Sequence, residues 1–286
     1  MFRHWIIWGG LGVVGIGLIY AAAAAQNLTQ AFAPRRTLAE HMDLIAPSVT
    51  VMLPEDLSTP VPAIIFFHGC GGQRPMHIDH AESISEAGYG VLVVDSFAPR
   101  GIGRVEAMTQ VCSALRLWGQ ERAADVFAAI EIARRTPEID HNRLILAGWS
   151  HGGWTLLDAM SFVSDETRPP TLTTGDINLD GVVRVVPIYP YCGFPARASG
   201  HIGPGLPAIE MILAERDMVA PNADCERLAR QAAIAGAEID YSIWTGVTHA
   251  FDDTDAPALD PRMDYDADAA ARLRDQLIDT LQRTQD

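Results

Sequence analysis

Two rhythms of apolar and polar residues alternate along the chain. Mainly apolar runs at residues 61–67, 91–95, 143–148, 182–189 and 208–214 read as buried strands. Shorter runs at 48–53 and 241–244 join them, the first set off from 61–67 by a Pro/Ser turn over 54–60. Between these lie stretches whose apolar residues recur at three and four, the spacing of a half-buried helix. They cover 77–87, which stops at Gly88, then 107–135, strongest from Glu121 onward, and 152–162, 225–235 and 269–282. Strand–helix alternation with short Val/Ile runs predicts an α/β fold, a mostly parallel central sheet with helices on both faces. One domain over residues 48–286 is expected, behind a connector and first strand region over 26–47. In such a sheet, functional groups collect in the loops at the carboxyl ends of the strands.

The first 25 residues follow neither rhythm. A short positive head containing Arg3 precedes an apolar run over 5–25 that closes on five alanines before Gln26. A signal peptide has this form, and the alanines offer several A-x-A cleavage positions. Retained as a helix, the 21 residues would span ~31 Å, enough to anchor the chain in a bilayer. Both readings place the folded part outside the cytoplasm, periplasmic or secreted, with membrane contact only through residues 5–25. In an oxidising compartment Cys70, Cys112, Cys192 and Cys225 allow three disulfide pairings. Cys70–Cys112 and Cys192–Cys225 would each join neighbouring strand-end loops, while four half-buried thiols are the alternative. No C-x-x-C spacing points to zinc.

Charge narrows the chemistry further. The 286 residues carry 21 basic and 36 acidic side chains, a net charge of −15, and every basic residue is arginine. Without lysine there is no P-loop, no Schiff-base or pyridoxal chemistry, no Ser-Lys dyad and no kinase lysine. An acidic chain without a basic cluster also excludes nucleic acid as partner.

Against that background one constellation stands out. The strand over 143–148 runs into Gly148-Trp149-Ser150-His151-Gly152, a G-x-S-x-G placed between a buried strand and an apolar helix. A serine on so sharp a turn needs glycine neighbours, so that strand and helix can approach. A serine hydroxyl is a poor nucleophile until a base takes its proton. Asp217 follows at the end of the 208–214 strand and His249 after the 241–244 strand, with Glu215 and Asp252 as fallback acids. The order Ser150, Asp217, His249 is the one used by α/β-hydrolases. The amide of His151 would point from the helix N-terminus toward a developing oxyanion. The glycine-rich turn His68-Gly69-Cys70-Gly71-Gly72 would supply a second donor, the amide of Cys70 first and Gly69 second.

These stretches, with Val94-Asp95-Ser96-Phe97 and His249-Ala250-Phe251, resemble the dienelactone hydrolase family of α/β-hydrolases over roughly residues 48–284. The resemblance implies the α/β-hydrolase fold and hydrolysis of carboxylic esters. Founding members use a cysteine nucleophile, where this chain has Ser150, and hold a substrate carboxylate with two arginines. Arg100 looks like one of those, with a surface salt bridge as its other reading. Four residues past His249, where the other is expected, stands Asp253, which would repel a carboxylate. Serine for cysteine points to a carboxylesterase working through an acyl-serine intermediate on a small-molecule ester, with no metal or cofactor. Trp149 and Tyr191 are expected to contact substrate beside Arg100, with Tyr189 and Phe194 nearby. An acyltransferase or a prolyl-oligopeptidase-like peptidase could use the same triad, and a silent envelope binding module could use the same fold.

Three further features read as ordinary surface chemistry. Asp176-Ile177-Asn178-Leu179-Asp180-Gly181 opens like an EF-hand loop, but its twelfth position is Pro187, so a polar turn is expected. His77-x-x-His80 lacks a third placed ligand and reads as a solvated helix start. Asp264, Asp266 and Asp268 suit the positive end of the last helix.

Overall fold

The computed structural model describes residues 33–258 and 260–284, with positions 15, 17, 18, 21, 22 and 25 before them. The expected signal or anchor otherwise lies outside the described residues. Seven strands, β1 (Val49–Met52), β2 (Val61–Phe67), β3 (Gly90–Val94), β4 (Ile139–Trp149), β5 (Val182–Ile188), β6 (Ala208–Ala214) and β7 (Ile239–Trp244), form one sheet. Its order is β1-β3-β2-β4-β5-β6-β7, and only β1 pairs antiparallel, with β3. All other neighbours run parallel, so their carboxyl ends face one rim.

The continuous apolar strands are continuous because both faces are covered. In β2, Ile65 and Phe67 enter a core built with α1 (Leu38–Ile45), α3 (Gly119–Arg134), α4 (His151–Ser164) and α5 (Asn222–Ala235). Ile64 and Phe66 enter the opposite core, built with α2 (Pro75–Glu86) and α6 (Ala267–Gln282). That alternation is the two-residue period of a strand, with apolar side chains demanded on each face.

Two departures from the expected layout have local causes. The strand region expected within 26–47 is instead the helix α1. Thr37 and Glu40 form a capping box, the Glu40 amide donating to Thr37 Oγ1 (3.2 Å) and the Thr37 amide to Glu40 Oε2 (2.8 Å). The periodic stretch over 107–135 is not one helix either. A π-turn (Ala107–Val111) is followed by Ala114 and Leu117 at φ +56° and +55°, and α3 begins only at Gly119. A Cβ at Gly119 would lie 2.6 Å from the Trp154 ring, so α3 can approach α4 only through a glycine here.

Both disulfides close near the rim. Cys70–Cys112 ties the loop after β2 to the π-turn, and Cys192–Cys225 ties the loop after β5 to the first turn of α5. Cross-links closing loops of 42 and 33 residues each stabilise by ~4 kcal/mol in the chain-entropy description.

Candidate active site

β4 delivers Ser150 to the rim in a conformation that ordinary residues avoid, φ +52° and ψ −110°. Such a backbone costs of order 1–3 kcal/mol and persists only where its surroundings hold it. Here the Ser150 amide donates to the Ile188 carbonyl (2.8 Å), and α4 starts at the next residue. The crossing is too close for side chains. A Cβ on Gly148 would sit 2.6 Å from the Gly152 carbonyl carbon, and one on Gly152 would sit 2.0 Å from the Phe67 oxygen.

Three side chains separated by 99 and 32 positions meet at this turn. His249 Nε2 lies 2.9 Å from Ser150 Oγ, and its Nδ1 lies 2.6 Å from Asp217 Oδ2. The other carboxylate oxygen of Asp217 accepts from the amides of Val219 (2.8 Å) and Ala220 (2.7 Å), which fixes its orientation. An ionised carboxylate only accepts, so Nδ1 carries the imidazole proton and Nε2 is left to accept from the serine hydroxyl. Glu215 takes no part; it accepts from the Gly246 amide (2.8 Å).

On one side of Ser150 the glycine-rich loop runs against it, the Cβ site of Gly69 being 3.5 Å from Ser150 Cβ. This region is braced by Arg122, a fully buried side chain of α3. Its Nη1 donates to the His68 carbonyl (2.7 Å) and to His151 Nδ1 (3.0 Å), and its Nε to Ser96 Oγ (2.8 Å). His151 then donates through Nε2 to the Leu117 carbonyl (2.8 Å). Burial and the neighbouring guanidinium keep His151 well below the ordinary histidine range, and hold His68 down at about 4. Both imidazoles are therefore neutral at physiological pH.

On the other side stands Asp252, also fully buried. It accepts from Trp149 Nε1 (2.7 Å) and the Tyr189 hydroxyl (2.6 Å), with His80 Nε2 at 3.3 Å. Burial alone would raise its carboxyl, yet these partners hold it below the usual value. The Tyr189 ring lies 4.7 Å from the His249 ring, centre to centre, so this cluster backs the imidazole.

Ser150 and His249 open on a cavity of about 320 Å³ whose walls include Met76, Met108, Val219, Ala250 and Met263. A smaller lobe of about 220 Å³ also reaches Ser150 and carries Trp154, Tyr191 and Phe194. Hydroxyl, imidazole and carboxylate in this order, beside an apolar cavity, can deliver an activated oxygen nucleophile to a bound electrophile.

The model of the family described as "Dienelactone hydrolase family" matches residues 48–167 and 173–285. The chain belongs to the dienelactone hydrolase family. Dienelactone hydrolase-like proteins are also among the solved structures that share its α/β-hydrolase fold. One is the promiscuous phosphotriesterase P91 from metagenomic libraries, 16% identical over 82% of this chain and 92% of that one, TM-score 0.59. Another is Thermogutta terrifontis esterase 2, phosphoramylated by tabun, 18% identical over 81% and 86%, TM-score 0.58. No curated protein matches the sequence.

Within this family member the remaining expected site residues fall in different places. Trp149 lines the cavity with its ring edge-on to Phe66, and Tyr191 lines the smaller lobe with its hydroxyl on the Phe194 carbonyl (2.7 Å). Cys70 lies on the walls of both, linked to Cys112. Arg100 lines neither cavity and forms a salt bridge instead. Its guanidinium grips the buried Asp125 through two bonds (2.8 and 3.0 Å) and the Ser96 carbonyl (2.7 Å). Burial would raise the Asp125 carboxyl, but Arg100 and His41, at 2.6 Å, hold it far down, so the arginine is spent on that pair.

His77 and His80 are not solvated. α2 turns both inward, where their rings lie 4.9 and 6.0 Å from Trp149, and burial lowers His77 to about 3. The turn at 176–181 is filled from inside, since Arg134 donates to Asn178 Oδ1 and the Asp180 carbonyl (2.6 Å each). Asp266 caps α6 through the Ala269 amide (2.9 Å). Among the described residues no group of three or more His, Cys, Asp or Glu side chains is placed to hold a metal.

Two site residues went unread in the sequence. Arg122 and Asp125 stand three apart among the alanines of α3, and that charged pair within an apolar stretch was the available signal. Arg74, which reaches the cavity and pairs with Asp253, sits 179 positions from its partner and carries no signal in the sequence.

Proposed function

We propose that this protein is a serine-dependent carboxylic ester hydrolase working through an acyl-serine intermediate. The observation that carries the reading is the continuous relay from Ser150 Oγ through His249 to Asp217. His249 takes the hydroxyl proton on Nε2 as Oγ attacks the ester carbonyl, and Asp217 stabilises the imidazolium that forms. The amides of His151 and Cys70 donate to the oxyanion, in a region that Arg122 keeps rigid. The same Nε2 proton passes to the departing alkoxide. Water then enters, gives its proton to His249, and attacks the acyl-serine; collapse returns that proton to Oγ and frees the acid.

No step in this sequence calls on a metal or redox group. A tabun-modified esterase of the same fold supports the use of an organophosphorus probe here. Ser150→Ala lowers kcat on p-nitrophenyl butyrate by ~10³-fold or more and abolishes fluorophosphonate labelling. Turnover and labelling equal to the parent would falsify the assignment. The two disulfides suit an exported protein, and N-terminal sequencing of secreted or periplasmic material would locate a cleavage site after the alanines.

A further inference from the structure

We propose that the cavity selects esters free of negative charge, because the protein's own carboxylates occupy the guanidinium that would receive one. The inference rests on the ester-hydrolase reading for its substrate class, but the charge arrangement can be probed without turnover.

Four charged side chains line the cavity: Arg74, Asp253, Asp260 and Arg262. Both guanidiniums are paired with carboxylates of the protein. Arg74 donates through Nε to Asp253 Oδ2 (2.9 Å) and through Nη2 to Asp253 Oδ1 (3.4 Å), so one carboxylate spans the fork. A second carboxylate, Asp255, takes Nη2 from outside at 2.8 Å. The Arg74 side chain is 13% exposed and that of Asp253 is 9%, so water does little to loosen the pair. Asp253 is itself held in place, accepting the Asp255 amide on Oδ1 (3.0 Å). Arg262 is likewise bound to Asp260 through Nε (2.8 and 2.9 Å) and Nη2.

Two guanidiniums thus face three carboxylates, and the carboxylate of Asp217 stands behind His249. Arg104 approaches from outside the lining, where its guanidinium meets the Gly71 carbonyl (3.3 Å). A substrate carboxylate that took the Nε edge of Arg74 would displace Asp253, leaving that buried acid without its cation beside Asp255. Breaking a buried ion pair in this way is far costlier than never forming it. Asp253 in effect occupies the position of a substrate's acid group. What remains for substrate is the thioether and aliphatic wall of Met76, Met108, Val219, Ala250 and Met263, which suits an uncharged apolar ester.

The experiment compares p-nitrophenyl butyrate with mono-p-nitrophenyl succinate, close in length but differing by one carboxylate. The parent protein should favour the neutral ester in kcat/KM by ~100-fold or more. In the Asp253→Asn/Asp255→Asn double variant, which frees Arg74, the neutral-to-anionic ratio should fall at least ~10-fold. Asp255→Asn alone, at an exposed position, should shift the ratio the same way by less. A binding arm uses Ser150→Ala protein and saturation-transfer NMR with methyl butyrate and monomethyl succinate. The expected result is binding of the neutral ester only, with the anionic one gained when both aspartates are changed. Comparable turnover or binding of the two esters by the parent pocket would overturn the inference, as would a ratio that ignores the release of Arg74. If the parent cleaves neither ester, the hydrolase reading fails, while the binding arm still decides the charge preference.

Discussion

Buried polar clusters flank Ser150 on the two sides of the sheet, and they differ in sign and in what they hold. On the α3 side the centre is a cation. Arg122 joins the His68 carbonyl to the His151 ring, and through Ser96 it meets a second group in which Arg100 and His41 share Asp125. On the α2 side the centre is an anion, Asp252, whose donors are the side chains of Trp149 and Tyr189 with His80 alongside. The cationic cluster grips the two segments whose amides are proposed to face the oxyanion. The anionic one grips the walls behind the base. Geometry demanded of a backbone donor is set from the first cluster, and the setting of the imidazole from the second.

That contrast sets the order of expected effects. Replacing Arg122 with Met should be the severest change outside the relay. It leaves the His68 carbonyl and His151 Nδ1 without their donor, so kcat should fall by ~10²-fold with KM moved much less. Stability should drop with it, by ~3–5 kcal/mol, as for other disrupted buried charge networks. Kinetics and urea midpoints measured on the same preparation separate the two effects, and Arg122→Lys should restore part of kcat. An equal loss in kcat and KM would deny Arg122 a role in transition-state geometry.

Replacing Asp252 with Asn should be milder. The shape survives, one donor keeps its acceptor, and the Tyr189 hydroxyl can turn to accept from the new amide NH2, so kcat should fall only ~3–10-fold and stability by ~1–3 kcal/mol. A loss exceeding that of Arg122→Met would reverse the ranking of the clusters.

A smaller effect comes from pH. His68 and His77 are held at about 4 and about 3 by burial, below the 6.5 of an unfolded chain. The unfolded state binds the extra protons, so stability falls as pH drops from about 6.5 toward 4. Asp158 acts in the opposite sense. Burial raises its carboxyl to about 7 although Ala198 and Trp154 donate to it, so stability falls as pH rises from about 4 through 7. The two windows overlap, and two histidines outweigh one carboxyl, so urea midpoints should rise from pH 4 toward about 6.5 and slip only between about 6.5 and 7. Asp158→Asn should steepen the rise between pH 4 and 6.5 and remove the slip above it, whatever it does to stability overall.

Much of this was legible in the chain, and the reasons are physical. Strand β6 matches its run residue for residue, because apart from the half-buried Glu210 it is covered on both faces and apolar to its ends. Ser150, Asp217 and His249 were readable because each lies at or in the short loop after a strand's carboxyl end, where the fold leaves little freedom. The capping box that makes α1 a helix was written in Thr37 and Glu40 and went unread as such. The break at Ala114 and Leu117 could not be read, since neither residue announces a positive φ. For Arg100 a salt bridge was legible but its partner was not. Its partner Asp125 lies on the buried face of a helix, and sequence spacing does not say which carboxylate an arginine will reach.

The most direct measurement is mass spectrometry of protein quenched during turnover of p-nitrophenyl butyrate, slowed by His249→Gln. The account predicts a butyryl group on the peptide containing Ser150 and on no other. Hydrolysis that continues with that peptide unmodified, or an acyl group carried elsewhere, would contradict it.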